Sequence, residues 1–261
     1  MIIDCHTHIL PGIDDGAKNL ETSIEMLKEE KSQGVDAIIA TPHFYAERDW
    51  IDKFIERREK AYNSILNYAS FDGDFSAIKG DKSREHNDKQ DASKISELPI
   101  IKKGAEVAYF SGMSRAEKIE DLCIEGTNII LVEMPFRQWD DKVIDEIQSL
   151  VSERELRCIL VHVERFLGFK GNDKRLQELV SPQIFFQMNA ECILEEGFLK
   201  KKKVAKLIDM FESGMVSLMG SDCHNMSSRK PNIDAARKKL SEPTLKRIDE
   251  TSEQLFTISA E

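Results

Sequence analysis

The 261-residue chain lacks the features that mark secreted and membrane proteins. Its first residues, Met1–His6, provide no basic start, no apolar core and no small-residue cleavage site. No later segment approaches the ~18 uninterrupted apolar residues of a membrane span. The five cysteines are odd in number and include no Cys-x-x-Cys pair, which favours reduced thiols over a disulfide framework. We therefore expect a cytoplasmic protein that does not insert into a membrane.

Basic charge is also scarce. The chain has 37 lysines and arginines against 47 aspartates and glutamates, which gives a net charge of −10. A surface of this sign repels polyanions, although it does not exclude a local basic pocket. Nucleic acid is therefore a disfavoured partner.

Apolar periodicity predicts a fold of alternating strands and helices. Short runs rich in valine and isoleucine predict seven strands, at 2–3, 37–41, 100–107, 129–133, 159–163, 184–188 and 216–219. Patterns of period near 3.6 predict helices between them and in the C-terminal tail, at 20–31, 49–68, 114–123, 140–152, 173–180 and 201–211. This rhythm is typical of parallel βα units, and a closed or nearly closed single-domain barrel is the expected architecture. A doubly wound open sheet ranks second, because no Gly-x-Gly-x-x-Gly turn follows the first strand.

One segment departs from the rhythm. Residues Lys79–Glu97 are almost entirely polar and charged. Such a composition cannot bury enough apolar surface to order itself, so we expect an exposed, mobile insertion. The remainder of residues 1–261 is expected to form one compact domain.

Histidines and carboxylates are concentrated at the predicted strand ends. Of six histidines, five follow strands, namely His6, His8, His43, His162 and His224. Acidic residues occur at the same ends or in the loop after His8, namely Asp15, Glu106, Glu133 and Asp222. The carboxyl ends of barrel strands converge on the face that carries catalytic groups, so these nine side chains are expected to meet.

The nine side chains predict a metal centre. In His6-Thr7-His8 the two-residue period of a strand places both imidazoles on one side, where they can bind one ion together. A single histidine is more often a core or surface residue, but five at strand ends together with carboxylates favour metal ligation. Buried carboxylates without cations would be costly, and nitrogen and oxygen donors accept Mn, Fe, Zn or Co.

Several ordered motifs extend this interpretation: Asp4-Cys5-His6-Thr7-His8, Thr41-Pro42-His43, Glu106, Val161-His162 and Gly220-Ser221-Asp222-Cys223-His224. Together they resemble the polymerase and histidinol phosphatase (PHP) superfamily. Within it the chain is similar to the bacterial manganese-dependent tyrosine-protein phosphatases of capsule and exopolysaccharide operons. This similarity depends on residues 8–16, 104–107, 162–165 and 221–225.

The resemblance implies a distorted (β/α)7 TIM-like barrel with a PHP-type metallophosphatase site of two or three ions, most commonly Mn²⁺. It assigns one ion to His6, His8, Glu106 and Asp222, with Glu106 as a bridge. A second ion would share that bridge with Glu133 and His162, and a third would bind Asp15, His43 and His224. Arg165 and Arg229 would hold the phosphate. The implied substrate is the phosphotyrosine-bearing tail of a bacterial tyrosine kinase that regulates polysaccharide synthesis.

The expected chemistry is hydrolysis by a metal-activated hydroxide that attacks phosphorus. Asp222 or a metal-bound water could protonate the leaving group, although a phenolate with a pKa of ~10 needs little help. Cys5 and Cys223 should point away from the ions and serve in packing. The alternatives are a histidinol-phosphate or other small-molecule phosphatase and a non-catalytic, metal-stabilised module that binds a kinase.

Overall fold

The computed structural model describes residues 1–70 and 98–256. Its strands are β1 (Ile3–Thr7), β2 (Ala37–Ala40), β3 (His43–Phe44), β4 (Ile100–Lys103), β5 (Glu106–Ala108), β6 (Ile129–Glu133), β7 (Arg157–Leu160), β8 (Ile184–Asn189) and β9 (Leu218–Gly220). Its α-helices are α1 (Leu20–Ser32), α2 (Ile51–Ser70), α3 (Asp141–Ser152), α4 (Asn172–Glu178), α5 (Lys201–Glu212), α6 (Ile233–Arg237) and α7 (Glu242–Phe256). All pairings between these strands are parallel.

The nine strands of the described residues occupy seven positions around the barrel, which follow chain order. Each position, made of one continuous or one interrupted strand, is called a stave below. β2 pairs with β4, and β3 pairs with β5 after a short break in each chain segment. Pro42 lies in the first break, where it cannot donate a ladder hydrogen bond, and its carbonyl accepts from Glu106 N at 3.0 Å. β2 with β3 is therefore one interrupted stave and β4 with β5 the next, followed by β6, β7, β8 and β9.

The sheet curls until its first and last staves meet. Thr7 forms a parallel bridge with Cys223 beyond β9. Asp222 N donates to His6 O at 2.8 Å, and His8 N donates to Cys223 O at 3.0 Å. The distorted TIM-like α/β barrel expected from the sequence is confirmed, and the open doubly wound sheet is not formed.

Buried side chains divide between two layers according to strand alternation. In β6, Ile129 and Leu131 belong to a cluster with Ile39, Ile159 and Leu218 from neighbouring staves. The alternate β6 residues belong to a larger cluster that includes side chains of α1 and α3. The strands are thus apolar on both faces because helices cover the outside while side chains fill the interior. Glu133 continues the inward set at the carboxyl end of β6.

The structure departs from two sequence-based expectations. Residues 114–123 do not form the predicted helix but two 3₁₀ turns, Met113–Arg115 and Ile119–Leu122, because Gly112 and Lys118 adopt left-handed φ angles of 86° and 62°. β7 ends at Leu160, before the predicted end at 163, and His162 has a φ of 37°. The polar insertion predicted at 79–97 lies outside the described residues. Within residues 1–70 and 98–256, no helix is both long and apolar enough to cross a membrane.

Candidate metal centre

All nine predicted ligands lie together at the carboxyl ends of the staves. β1 and its following loop carry His6, His8 and Asp15, whereas β3, β5 and β6 carry His43, Glu106 and Glu133. The turns after β7 and β9 supply the rest, His162, Asp222 and His224. His6, His8 and His162 are fully buried, while Asp15 is 67% exposed at the mouth. The barrel therefore presents a buried donor set with one open side.

The first group of donor atoms surrounds a point between β1 and β9. Nε2 of His6 lies 3.2 Å from Nε2 of His8, and both nitrogens approach Glu106 Oε2, at 3.3 and 3.2 Å. Asp222 Oδ1 lies 3.4 Å from His8 Nε2 and 3.8 Å from His6 Nε2. Two ligands at about 2.1 Å from a common ion are separated by about 3 to 4 Å. The four side chains are thus spaced as ligands of one cation.

Two further groups adjoin the first through Glu106 and His43. His162 Nε2 lies 2.7 Å from Glu106 Oε1 and 3.4 Å from Glu133 Oε1. Asp15 Oδ1 lies 3.4 Å from Nε2 of both His43 and His224. His43 also turns Nδ1 towards Glu106 Oε2 at 2.8 Å. His43 thus contacts both the bridging carboxylate and the third group, whereas the resemblance places it with the third ion alone.

Some of the candidate ligand atoms are buried without a hydrogen-bond partner, as expected of a cation site. Among the described residues, two candidate ligand atoms, Glu106 Oε2 and His224 Nε2, are in this position. An unpaired polar atom in a protein interior is costly, and a bound divalent cation would satisfy each of them. Residue types and spacing therefore fit a divalent metal cluster.

The pKa shifts of Glu106 and Glu133 also favour a bound cation. Burial alone would raise the pKa of Glu106, but the charge of His6, a hydrogen bond from His162 and the adjacent His43 imidazole hold it well below its usual range. Glu133 shows the opposite effect, since burial and repulsion by Glu106 raise its pKa to about 7. Neighbouring carboxylates repel each other unless positive charge lies between them, which a bridged cation pair provides.

A second layer of polar residues, which sequence reasoning missed, orients the donors. Asp14 Oδ2 accepts from His8 Nδ1 at 2.8 Å and from the His43 backbone N at 3.0 Å. Gln187 Oε1 accepts from His162 N at 2.7 Å, and Asn189 Nδ2 donates to Asp222 Oδ2 at 2.7 Å. Such partners fix the tautomer and orientation of metal ligands. The available signal was a pair of amides at alternate positions in the otherwise apolar strand β8.

Both predicted phosphate-binding arginines face the solvent side of Asp222. Arg165 Nη2 lies 2.5 Å and Arg229 Nη2 2.7 Å from Asp222 Oδ2. Each side chain is about one-third exposed, at 31% and 32%. The 3₁₀ turn after His162 carries Arg165, and the Asn225 side chain accepts a hydrogen bond from the Arg229 backbone at 3.2 Å. The two guanidinium groups therefore stand where an anion entering the site can meet them.

No cysteine is placed to act as a nucleophile. Cys223 and Arg229 do have the Cys-x5-Arg spacing of cysteine-dependent phosphatases. Burial and the nearby Glu30 carboxylate nevertheless raise the pKa of the Cys223 thiol well above its usual value. Its sulfur faces away from the ligands, 3.6 Å from Glu30 Oε1, and Cys5 Sγ donates to Met219 O at 3.0 Å. A protonated, enclosed thiol is inert, in agreement with the packing role expected from the sequence.

Comparison with known proteins decides the family. The family model described as "Capsular polysaccharide synthesis, CpsB/CapC" matches residues 2–73 and 75–260. The chain belongs to the CpsB/CapC family. Tyrosine-protein phosphatase CpsB of Streptococcus agalactiae is 27% identical over 242 residues, which cover 91% of this chain and 88% of that protein. Tyrosine-protein phosphatase YwqE of Bacillus subtilis is 26% identical over 234 residues, which cover 87% and 79%. Membership confirms the resemblance drawn from the motifs.

A solved structure supports the fold of this CpsB/CapC chain. It comes from work on YwqE from Bacillus subtilis and CpsB from Streptococcus pneumoniae, described as unique metal-dependent tyrosine phosphatases. The TM-score is 0.72 at 20% sequence identity, and the match covers 99% of this chain and 96% of the other. The two chains therefore share the distorted barrel.

Proposed function

We propose that this member of the CpsB/CapC family is a metal-dependent protein-tyrosine phosphatase, with residues 1–261 forming one metallophosphatase domain. The observation that carries the proposal is Glu106, a buried carboxylate whose two oxygens face His6, His8 and His43 on one side and His162 on the other. Two relatives that match most of this chain are named tyrosine-protein phosphatases. Its substrate would be a bacterial tyrosine kinase that regulates capsular or exopolysaccharide synthesis.

The cofactor we propose is Mn²⁺. The residues that would hold the ions are the three sets implied by the family motifs, in which two sets would share Glu106; His43 lies beside both Glu106 and Asp15. Imidazoles mixed with carboxylates suit first-row divalent ions, and Mn²⁺ is the one that the family resemblance implies. When bound, such ions supply a water of lowered pKa and screen the charge of the phosphate.

The chain's own residues would bind and orient the phosphoryl group. Arg165 and Arg229 each use one N–H towards Asp222 Oδ2, which leaves further N–H groups for the non-bridging phosphate oxygens. Planar guanidinium groups bind phosphate through paired hydrogen bonds, which an ammonium group cannot reproduce. Asn189 keeps Asp222 in place while the arginines engage the substrate.

The protonation state of Asp222 favours an aryl phosphate as substrate. Burial would raise the pKa of Asp222, but the charge of His6 and a hydrogen bond from His8 hold it well below its usual range. An ionised Asp222 has no proton to donate. A tyrosine phenolate, with a pKa of ~10, leaves with less protonation than the alkoxide of phosphoserine or histidinol phosphate.

A cytoplasmic location forms part of the proposal. All five cysteines are free and buried, as expected where thiols stay reduced. A cytoplasmic enzyme can meet the phosphorylated cytoplasmic tail of a kinase.

The test is hydrolysis of a phosphotyrosyl peptide and of histidinol phosphate by metal-stripped protein, with and without added Mn²⁺. We expect Mn²⁺-dependent turnover of the peptide, lost in Asp222→Ala and retained in Asp234→Ala, which alters an exposed carboxylate on α6. Preference for histidinol phosphate would identify a small-molecule phosphatase instead. Absence of turnover with either substrate would leave only the kinase-binding module.

A further inference from the structure

A cavity of about 630 Å³ opens beside the metal centre. It shares Asp15 and His43 with the centre and extends outward past Tyr45 to Arg48 and Arg57. A peptide whose phosphotyrosine reaches the metal ligands has to place neighbouring residues in adjoining space. The cavity is therefore a candidate for contact with the substrate chain.

The three carboxylates of this cavity already have partners. Asp15 belongs to the metal ligand set and lies 3.4 Å from Nε2 of both His43 and His224. Asp14 Oδ2 accepts a hydrogen bond from His8 Nδ1 at 2.8 Å. Asp49 forms an ion pair with Arg57, whose side chain is 51% exposed. This ion pair holds the Arg57 guanidinium at the cavity wall.

Arg48 is the cation that the cavity leaves uncompensated. Its guanidinium carbon lies 4.8 Å from the centroid of the Tyr45 ring. In the part of the chain that the structure describes, Arg48 forms no ion pair with a carboxylate. The centroid of the Tyr45 ring lies 5.3 Å from that of the His43 ring. His43, Tyr45 and Arg48 therefore contact one another in sequence, from the metal ligands outward.

We propose that this cavity binds an acidic side chain next to the phosphotyrosine in the substrate, with Arg48 as its main contact and Arg57 behind it. The inference rests on the proposed protein-tyrosine phosphatase function and adds a sequence preference to it. An extended peptide advances about 3.3 Å per residue, so the acidic residue lies roughly one to three positions from the phosphotyrosine. Guanidinium groups pair with carboxylates through charge-assisted hydrogen bonds.

The overall charge of the protein makes such a subsite informative. At a net charge of −10 the chain repels acidic peptides at long range, so any preference for them must come from a local cationic surface. A preference of this origin weakens as salt screens the contact. Salt dependence therefore separates a charged subsite from one that only fits shape.

The experiment compares kcat/KM of the Mn²⁺-loaded wild-type enzyme for phosphotyrosyl peptides that differ only in flanking residues. One peptide has glutamates before the phosphotyrosine, a second has them after it, a third has glutamines and a fourth has lysines. We expect one acidic peptide to exceed the glutamine peptide by about fivefold, as for one partly exposed ion pair. In Arg48→Glu the preference should reverse towards lysine, while Arg175→Glu, a change on α4, should keep the wild-type order.

Each result decides the proposal. Equal kcat/KM for acidic and neutral peptides in the wild type would overturn the subsite, as would an acidic preference that survives in Arg48→Glu. If Arg48→Glu does not fold, Arg57→Gln serves instead and should lower the preference. p-Nitrophenyl phosphate carries no flanking residue and reports phosphatase activity alone. If the wild type hydrolyses it but shows equal kcat/KM for all four peptides, the subsite is refuted and the phosphatase function is not. Turnover of none of these substrates refutes the phosphatase function itself.

Discussion

Replacing Asp14 by asparagine tests whether the second layer of the site controls metal binding. The Asp14 side chain is only 5% exposed. Its Oδ2 accepts from His8 Nδ1 at 2.8 Å and from His43 N at 3.0 Å, and its Oδ1 accepts from Gly16 N at 2.9 Å. Asparagine keeps the shape but has one acceptor oxygen. Either His8 and His43 or Gly16 must then face an amide NH₂ group.

The expected loss in metal affinity follows from the role of His8. Removing a partner that orients a ligating histidine typically weakens metal binding or activity about 10- to 100-fold. That factor corresponds to about 1.4 to 2.7 kcal/mol. Asp14 also accepts a hydrogen bond from the backbone N of His43, a second metal ligand. We therefore expect a loss of Mn²⁺ affinity in the upper half of this range.

The same substitution should destabilise the metal-free protein over a defined pH range. The pKa of Asp14 is lowered from 3.8 to about 2, which corresponds to about 2 kcal/mol of stability, present above the unfolded pKa and lost as pH falls through about 2. Hydrogen bonds to Asp14 and Asp222 raise the pKa of His8 well above 6.5 although burial opposes this. Its contribution is complete below 6.5 and is lost as pH rises through the folded pKa. Both contributions are present together between roughly pH 4 and 6.5.

Two measurements check this reasoning. Isothermal titration with Mn²⁺ at pH 7.5 gives the affinity, and urea denaturation of metal-stripped protein at pH 5.5 and pH 2 gives the stability difference. Asp234→Asn on the surface of α6 is the matched control. A Mn²⁺ affinity within twofold of wild type, with unchanged stability at pH 5.5, would refute an orienting role for Asp14.

Other predictions address the nucleophile, the arginines, the metals and the barrel seam. Cys223→Ala should keep activity within about threefold of wild type, and iodoacetamide should not inactivate the enzyme, because the thiol is buried and protonated; loss of activity would restore a cysteine mechanism. Arg165→Lys should lower kcat/KM about 10- to 100-fold through lost paired hydrogen bonds, with Arg175→Lys as control. Chelation should abolish activity and lower the Tm, and Mn²⁺ should restore both; a Tm unaffected by chelation would contradict a cluster that stabilises buried carboxylates. Gly220→Ala would place a Cβ 2.6 Å from His6 Cβ, so thermal denaturation should show a loss of about 1 to 3 kcal/mol and weaker metal binding.

Much of the barrel could be predicted because its strands are buried on both faces. β6 was predicted at its observed bounds, 129–133, since helices cover one side of its apolar run and the barrel interior the other. Residues 114–123 were wrongly predicted as a helix because their apolar spacing is helical. Two left-handed residues, Gly112 and Lys118, divide this segment into 3₁₀ turns, and the apolar spacing does not report them.

The amino-acid pattern was sufficient to indicate the barrel, the metal donors and the family, because periodicity and strand-end position are local properties of the chain. Only the folded barrel shows what surrounds those donors. Asn189 and Asp222 are 33 residues apart, yet their side chains meet at 2.7 Å because β8 and β9 pair in parallel. Arg48 likewise lies beside the candidate metal centre only because the chain turns after β3. Hydrogen-bond partners and cavities depend on which distant segments the fold brings together, and no local pattern encodes that.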